Sequence, residues 1–426
     1  MKVVWFVNGM MPEFSTALGR EVGNTGGWMP SLIDAIRQFA PHIELHIVCE
    51  ADGDYVREMN GTYYYAFKNF NHGLRWGRSS KRGFAEKVRS LILKTKPDLI
   101  HFHGTENGYA DLDDIVWCGV PRVVTLQGIL NGIYPHYMGG LTSQQLKSYQ
   151  NRLRNLITGK NLFDTADLWR TKSAIAEALS LGKMNHIAGR TDWDHAWAVV
   201  LAPRATYHYV GEILRPEFYA RDDRSCVISH RIYASAAFKY PLKGGHVMLQ
   251  ALAYLKDAYP DVKLAVADGL EKLRPTSLRA KLSQTEYNRY LAACIQKLGL
   301  EDNVELLPSI DSVHVRAELE KAEVYCQVSF VENSPNSLAE AQLVGVPVVA
   351  SFAGGIPSMV EDCRTGLLVQ PGDAATLATA IARLFDDNGL KTSLVENAWK
   401  AAIKRHDPQI VVGDLLNCYR KVMADA

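Results

Sequence analysis

Two glutamates spaced eight positions apart, Glu332 and Glu340, lie in a segment whose residue types suit a phosphate and a ribose. The stretch SFVENSPNSLAEAQLVGVPVVAS predicts a strand, a polar loop, a helix from Leu338 to Val344, a tight turn and another strand. Backbone amides at the start of such a helix are free and partly positive, which favours a phosphate. A nearby carboxylate can accept hydrogen bonds from both hydroxyls of a ribose. An isolated pair of glutamates more often lies on the solvated surface. The neighbouring sequence must therefore show whether these two bind a ligand.

The elements that must position these residues alternate between short apolar runs and helical periodicity. This alternation predicts mostly parallel sheets covered by helices on both faces. We therefore expect an α/β protein with two doubly wound, Rossmann-like domains, whose ligands bind at the carboxyl ends of the strands, in the cleft between the domains. The predicted strands are Val3–Val7, Ile43–Cys49, Leu99–His103, Arg122–Leu126, Cys226–Ser229, Leu264–Ala267, Val304–Leu307, Val324–Val328 and Val346–Ala350.

The length of the chain, 426 residues, suits two domains that each bury a core. The stretch LRPEFYARDD places a proline and a polar run between two strand signals and predicts a boundary at about residue 215. We expect an N-terminal domain over 1–215, with a helical insertion near 134–185, and a C-terminal domain over 216–405. Residues 406–426 carry an apolar helical stripe and are predicted to cross back onto the first domain.

The composition is that of a folded protein without broad affinity for nucleic acid or anionic lipid. Hydrophobic residues make up 47%, charged residues 22%, and the net charge is +1. No apolar run approaches the roughly 20 residues that span a bilayer, and MKVVWFVN predicts a first strand. The seven cysteines are scattered and form no Cys-x-x-Cys pair, so neither a disulfide framework nor a zinc site is indicated. We expect a cytoplasmic protein, with any membrane contact peripheral and on the inner face.

The segment around the two glutamates closely resembles the Glu-x7-Glu signature of retaining glycosyltransferases with the GT-B fold, of the family 4 type (glycosyl transferases group 1). Downstream, GVPVVASFAGGIPSMVEDCRTGLLVQPGD resembles that family's next strand, its Gly-Gly-Ile-Pro turn at 354–357 and its Thr-Gly-Leu-Leu-Val run at 365–369. Upstream, KYPLKGGHVMLQALAYLKDAYPDVKLAVADG resembles the family's Lys-Gly helix start. The resemblance covers nearly all of residues 225–400 and the first domain more loosely.

The resemblance implies donor-binding roles for residues of the second domain. Lys243 would pair with the donor diphosphate, because an ammonium group at a loop-to-helix junction offers three donors and a point charge. The amides near Asn336 and Ser337 would share this task, Glu332 would orient donor-sugar hydroxyls, and Glu340 would bind the ribose.

Two further donor contacts follow less directly from the resemblance. The family places an arginine a few residues before the lysine, and Arg231 is the local candidate, although it lies twelve positions upstream and Lys239 or a backbone amide could replace it. In GNTGGWMPSLIDAI, Gly26 and Gly27 match the family's Gly-Gly turn and would let backbone approach the diphosphate from the opposite wall.

Candidate residues on the acceptor side follow strands of the first domain. Gln127 stands where many family members carry a histidine near the reacting carbon, and an amide binds a hydroxyl but transfers no proton. His103 and Glu106, in LIHFHGTENGYA, are candidate acceptor or sugar contacts, as is Arg190, for which ordinary ion pairing is the alternative. His101 and His103 share one strand face but lack a third metal ligand. We expect no metal.

Two basic clusters with aromatic or apolar neighbours lie in the predicted first domain. They are RWGRSSKR at 75–82 and the helical KSYQNRLRNL at 147–156, whose charges fall within 147–154. Either cluster could bind an anionic acceptor, such as a lipid-linked diphosphate, or a membrane surface. The alternative for each is an ordinary solvated surface.

The resemblance as a whole implies a retaining, metal-independent glycosyltransferase without a cofactor. It would move a hexose or N-acetylhexosamine from a UDP- or GDP-linked donor to a glycan or lipid-linked acceptor, as in surface polysaccharide synthesis. The dinucleotide fingerprint Gly-x-Gly-x-x-Gly is absent, which disfavours a nicotinamide-dependent dehydrogenase. The alternatives are a nucleotide-sugar epimerase and a non-catalytic nucleotide-sugar binding subunit of the same fold.

Overall fold

The computed structural model describes residues 1–20, 27–68, 78–106, 108–158, 161–221, 224–235 and 237–426, with backbone only for 78–81, 157–158 and 271. The chain divides into two compact units. The first unit comprises Met1–Asn131, Thr171–Leu214 and Arg405–Ala426, and the second unit comprises Gly132–Arg170 and Arg215–Lys404.

The strands of both units are short and mostly buried. They are β1 Lys2–Val7, β2 Glu44–Ala51, β3 Tyr55–Met59, β4 Thr62–Lys68, β5 Leu99–His103, β6 Arg122–Thr125, β7 His186–Gly189, β8 Thr206–Tyr209, β9 Arg231–Tyr233, β10 Lys263–Val266, β11 Val304–Leu306, β12 Val324–Gln327, β13 Val348–Ser351 and β14 Leu367–Val369.

Helices separate most of the strands. They are α1 Pro12–Ala17, α2 Trp28–Phe39, α3 Arg78–Thr95, α4 Leu130–Ile133, α5 Ser143–Lys147, α6 Arg152–Thr158, α7 Leu162–Leu168, α8 Ala174–Leu181, α9 Asp192–Leu201, α10 Gly245–Leu255, α11 Leu270–Leu273, α12 Leu278–Ser283, α13 Glu286–Lys297, α14 Ser312–Lys321, α15 Asn336–Val344, α16 Ala374–Asp386, α17 Asn388–Arg405 and α18 Pro408–Ala424.

The sheet of the first unit has the described strand order β3-β4-β2-β1-β5-β6-β7-β8. All neighbouring pairs are parallel except the β3–β4 hairpin. The central strand β5 is buried at every position, as expected of a parallel strand covered on both faces. The order reverses between β1 and β5, so the carboxyl ends of these two strands form the switch point of this sheet.

The sheet of the second unit has the described order β11-β10-β9-β12-β13-β14 and is parallel throughout. Its switch point lies between β9 and β12. Helix α10 packs against α13 and α16, where Leu249, Leu291 and Ile381 are fully buried. The predicted α/β class, with mostly parallel sheets in two units, is confirmed.

The C-terminal helix α18 belongs to the first unit, where it packs on α2 and β5. Its Tyr419 is fully buried and accepts a hydrogen bond from Trp5 Nε1 at 2.8 Å. The same hydroxyl lies 2.7 Å from His101 Nδ1. The helix is therefore fixed to the sheet by a buried polar contact as well as by its apolar stripe.

The helical segment predicted as an insertion in the first domain is divided differently by the structure. Residues 132–170 pack in the second unit, and the remainder, from Thr171, packs in the first. Tyr137, Leu141 and Leu146 join the hydrophobic core that contains Phe238. Assignment of the whole segment to the first domain is wrong because these apolar side chains are buried against α10 and its neighbours rather than against the sheet that precedes them in sequence.

The predicted strand Cys226–Ser229 is also wrong. The strand here is β9, which starts at Arg231, after His230 adopts a left-handed φ of 56°. Val227 and Ile228 are 40% and 47% exposed, so this apolar run lies outside the core. Among the helices of the described residues, none is long and apolar enough to cross a membrane.

Candidate functional site

A polar cavity of about 170 Å³ lies at the carboxyl ends of β9 and β12 in the second unit. It is lined by Ser235 and Ala237 after β9, by Lys243, and by eight residues between Cys326 and Ser337. Ligands of doubly wound sheets bind at this kind of switch point. The structure therefore brings together Lys243, Glu332, Asn336 and Ser337, four of the residues predicted from the sequence.

Lys243 and Glu332 form an ion pair within this cavity. Their side chains are 24% and 15% exposed, so the pair is mostly shielded from water. Ser329 Oγ donates a hydrogen bond to the same carboxylate oxygen at 2.9 Å. The cavity thus presents one cation and one anion, both held in place by contacts.

A chain of hydrogen bonds supports Glu332 from the strand below. The Tyr325 hydroxyl donates to Gln327 Oε1 at 2.7 Å, and Gln327 Nε2 donates to Ser329 Oγ at 2.9 Å. Ser337 Oγ also donates to Gln327 Oε1, at 3.2 Å, which ties the start of α15 to the strand. The sequence analysis missed Gln327 and Ser329, although polar residues at every second position of VYCQVS were a readable signal.

Helix α15 begins at the cavity without a side-chain cap. Its N-cap is Pro335, which offers no acceptor to the first amides, and Asn336 and Ser337 are the first two helical residues. Asn336 Oδ1 is buried and has no hydrogen-bond partner among the described residues. An uncapped helix start of this kind is suited to an anion.

Two glycines set the distances across the cavity. Gly244 has φ 74°, and a Cβ there would lie 2.0 Å from the Val328 carbonyl oxygen. Gly354 has φ 56°, and its Cβ would lie 2.1 Å from the Glu332 carbonyl oxygen. Only glycine combines this backbone conformation with such close approach, so both turns hold the Lys243–Glu332 pair at its spacing.

Glu340 lies on α15 but is not part of the cavity lining. Its side chain is 6% exposed and forms an ion pair with Arg215 at 2.7 Å. Burial raises the pKa of Glu340, and Arg215 opposes that shift. The sequence analysis did not identify Arg215, and no local signal in LRPEF points to this partner.

Arg231 does not lie with the predicted phosphate-binding residues. It is the first residue of β9, 3% exposed, and its guanidinium binds Glu305 at 3.0 Å and also Glu318. Because both partners are carboxylates beside the strand, this arginine has a structural role. Its predicted contact with the donor phosphates is not supported by this geometry.

The switch point of the first unit carries another polar group. Asn8, directly after β1, donates a hydrogen bond to Glu106 Oε2 at 2.8 Å. The Gly128 amide donates to the other oxygen of Glu106 at 3.3 Å. Burial raises the pKa of this carboxyl, although the hydrogen bonds oppose the shift. The sequence analysis also did not identify Asn8 as a site residue, although Asn8 follows the first strand directly.

His103, at the end of β5, is 4% exposed and surrounded by aromatic rings. Its ring centroid lies 3.8 Å from that of His101 and 4.4 Å from that of Trp5. Neither ring nitrogen has a hydrogen-bond partner among the described residues. Burial, with His101 and Arg190 nearby, lowers the pKa of His103 well below its usual value, so the ring is neutral. His101 differs, because it contacts Thr125 at 2.6 Å and Tyr419.

Gln127 is oriented by Arg190, which donates to Gln127 Oε1 and to the Leu126 carbonyl, each at 3.1 Å. Arg190 also pairs with Glu212 at 2.8 Å, and both side chains are nearly inaccessible. Both terminal nitrogens of Arg190 are thus engaged within the protein. Arg190 positions Gln127, and the prediction that it contacts an acceptor is not supported by these contacts.

The remaining predicted residues add little to either site. Gly27 is the N-cap of α2, and Gly26 lies outside the described residues. In the cluster at 75–82, residues 75–77 lie outside the described residues and 78–81 are described by backbone only. The stretch 147–156 is broken between α5 and α6, with Lys147 and Arg152 exposed. In the part of the chain that is described, no three His, Cys, Asp or Glu side chains are grouped to hold a metal ion.

Residues 231–401 match the model of the family described as glycosyl transferases group 1. A D-inositol 3-phosphate glycosyltransferase of Arthrobacter sp. is 27% identical over 71% of this chain and 65% of its own length. An MMP alpha-(1->4)-mannosyltransferase of Mycolicibacterium hassiacum is 31% identical over 49% of this chain and 46% of its own. The matched regions thus span less than two thirds of each of these relatives.

Solved structures resemble the whole chain. Sucrose-phosphate synthase from Thermosynechococcus elongatus aligns with a TM-score of 0.70 at 17% identity, over 100% of both chains. Anabaena HepE, in complex with UDP and glucose, aligns with a TM-score of 0.67 at 18% identity, over 98% of both chains. At these identities the likeness establishes the fold, which confirms the GT-B fold predicted from the sequence.

Proposed function

We propose that this protein is a glycosyltransferase that uses a nucleotide-sugar donor, because residues 231–401 match the model of the glycosyl transferases group 1 family and the chain has the GT-B fold. One observation carries the proposal: Lys243, Glu332 and the uncapped start of α15 meet in one cavity at the switch point of the second sheet. A cation and free amides suit a diphosphate, and a carboxylate beside them suits sugar hydroxyls.

The proposed chemistry relies on positioning and charge. Lys243 and the amides of α15 stabilise the departing nucleoside diphosphate, while Glu332 orients the hydroxyls of the donor sugar. The acceptor attacks from the face that the diphosphate leaves, and an oxygen of the leaving diphosphate takes the acceptor proton. The anomeric configuration is then retained, and no protein nucleophile takes part.

The acceptor side is proposed to lie at the switch point of the first sheet. His103 presents two ring nitrogens that have no hydrogen-bond partner among the described residues, which is costly for a buried side chain and suits a ligand hydroxyl. Gln127, held by Arg190, cannot transfer protons, which agrees with a reaction in which the leaving diphosphate acts as base. The acceptor class proposed is a glycan or a lipid-linked saccharide, and the donor sugar a hexose or N-acetylhexosamine linked to UDP or GDP.

The proposed reaction proceeds without a divalent metal, because Lys243 and the helix amides supply the positive charge. Adding excess EDTA to the assay is therefore expected to leave the rate unchanged within about twofold. Steady-state rates with and without chelator, and after restoring Mg²⁺ or Mn²⁺, measure this. A rate that falls by about tenfold or more and returns with metal would contradict the metal-free mechanism.

Replacing Glu340 by alanine is expected to remove two charge-assisted hydrogen bonds to the ribose. These are worth about 2 to 3 kcal/mol, or roughly 30- to 150-fold in kcat/KM for the donor. Glu396→Ala is the control, since Glu396 also pairs with an arginine, Arg221 at 2.9 Å, but lines a pocket other than the donor cavity. Donor kinetics that are the same in both variants and in the wild type would refute the ribose role.

Incubation of the purified protein with UDP- and GDP-hexoses and N-acetylhexosamines tests the proposed function. A transferase releases the nucleoside diphosphate, slowly to water and faster to a suitable acceptor, and the product keeps the anomeric configuration of the donor. Appearance of an epimeric nucleotide-sugar without release would identify an epimerase. Binding without either reaction would identify a non-catalytic subunit.

A further inference from the structure

Arg215 lies on a short turn that packs against the helix carrying Glu340. The turn, Pro216–Phe218, contacts α14 and α15. Phe218 is fully buried, and the Arg215 guanidinium lies 5.2 Å from the centre of its ring. Arg316 Nη1, on α14, donates a hydrogen bond to the Ala220 carbonyl at 2.9 Å. The Phe218 amide donates a hydrogen bond to the Arg215 carbonyl at 3.1 Å, so Arg215 is held at its backbone as well as along its side chain.

The contact that Arg215 makes with Glu340 uses only part of the carboxylate. Arg215 Nη2 lies 2.7 Å from Glu340 Oε1. No other hydrogen bond to Glu340 occurs among the described residues, so Oε2 and the free lone pair of Oε1 remain able to accept. A carboxylate has about four acceptor sites, and one is occupied here.

Within the proposed function, we propose that Arg215 is a positioning residue for the nucleotide: it keeps Glu340 ionised and aimed so that the free acceptor sites of the carboxylate bind the ribose hydroxyls. Without Arg215, a carboxylate with 6% side-chain exposure loses its counter-charge and is more readily protonated. A protonated carboxyl presents a donor and fewer acceptors to the ribose.

Among the residues that the structure describes, Arg215 is the only cation that acts on Glu340. The groups whose charges act on Glu340, or that respond to it, are Arg215, Glu217, Tyr233 and Tyr325. Burial is the main cause that raises the pKa of Glu340, Glu217 raises it further, and Arg215 lowers it. Removal of Arg215 therefore shifts this pKa upward. Nucleotide affinity that depends on the ionised form then falls as the pH falls through the raised pKa.

The experiment compares nucleotide binding to the wild type, Arg215→Met, Arg215→Lys and Arg221→Met. Arg221 provides the matched control, because it pairs with Glu396 at 2.9 Å and stacks 4.7 Å from the centre of the Trp399 ring in the same unit. The probes are UDP and GDP, each beside its 2′,3′-dideoxy analogue. Isothermal titration calorimetry is run at intervals from pH 6 to pH 8.

At pH 6, Arg215→Met is expected to bind the diphosphate about tenfold more weakly relative to wild type than at pH 8, because a smaller fraction of Glu340 is ionised in the variant at the lower pH. Division by the wild-type value cancels titration of the nucleotide phosphate itself. The preference for the ribonucleotide over its dideoxy analogue shrinks in Arg215→Met, is restored in part by Arg215→Lys, and is unchanged in Arg221→Met.

Two results would overturn the role of Arg215. Tighter nucleotide binding by Arg215→Met would show that the guanidinium competes with the ribose for the Glu340 carboxylate. Equal affinity, pH dependence and dideoxy discrimination in Arg215→Met and wild type would show that the pair does not act on the nucleotide. If the wild type itself bound neither UDP nor GDP, the proposed function would fail instead, so the two failures are distinguishable.

Discussion

Replacement of Lys243 by alanine is expected to lower kcat for donor turnover by about 10²- to 10³-fold, the size of effect seen when one group that stabilises developing charge is removed. Lys243 is the only cationic side chain that lines the described part of the donor cavity. Its loss leaves the amides at the start of α15 as the remaining positive partners of the diphosphate. Release of nucleoside diphosphate, followed under single-turnover conditions, measures the effect on the chemical step.

Lys391→Ala is the control for the structural cost of losing such a pair. Lys391 and Glu323 also form an ion pair in the second unit, with side-chain exposures of 16% and 11%, close to those of Lys243 and Glu332. They line a different pocket. We expect Lys391→Ala to reduce stability with little change in kcat. A Lys243→Ala variant that remains folded and turns over donor at the wild-type rate would exclude the assigned role.

Replacement of Gly354 by alanine is expected to destabilise the second unit by about 3 kcal/mol or more and to reduce donor turnover in the protein that stays folded. The alanine Cβ would meet the Glu332 carbonyl oxygen at 2.1 Å, and the left-handed backbone adds strain. The Gly355 amide also donates to that carbonyl, at 2.8 Å, so relief of the overlap displaces Glu332. Urea unfolding and donor kinetics measure the two effects.

Gly299→Ala separates backbone strain from steric overlap. Gly299 has φ 62°, against 56° for Gly354, but its nearest contact would be Lys256 Nζ at 3.5 Å. We expect Gly299→Ala to lower the free energy of unfolding by about 1 kcal/mol, because only backbone strain is added, and to leave donor turnover normal. Equal destabilisation by both substitutions, without a change in turnover, would show that Gly354 does not fix the position of Glu332.

The parts of the fold that follow from local pattern were predictable. Strand β5 was predicted at its observed bounds because its five residues, LIHFH, form one short run of apolar and aromatic side chains between turn signals. The hairpin β3–β4 was missed although Asn60 and Gly61, both with positive φ, are a strong two-residue turn signal. Strand β9 was misplaced because apolar character alone does not show that Val227 and Ile228 are exposed.

The parts that depend on distant contacts were not predictable from one sequence. Helical periodicity showed that the segment containing Tyr137 and Leu141 buries an apolar face, but not that this face packs against α10. The Arg215–Glu340 pair joins residues 125 positions apart, and the partners of Arg231 lie 74 and 87 positions away. Motif matching identified Lys243, Glu332 and the start of α15 because each lies in a local segment that resembles a motif of the family, although Lys243 and Glu332 are 89 positions apart.

The central claim is that the second unit binds a nucleoside diphosphate at Lys243 and the start of α15. Thermal unfolding of the wild type and Lys243→Ala with UDP, GDP and ADP tests it most directly. We predict that one diphosphate at 100 times its Kd stabilises the wild type by about 2.7 kcal/mol, and Lys243→Ala markedly less at the same concentration. No stabilisation of the wild type by any of the three, or equal stabilisation of both proteins, would contradict the account.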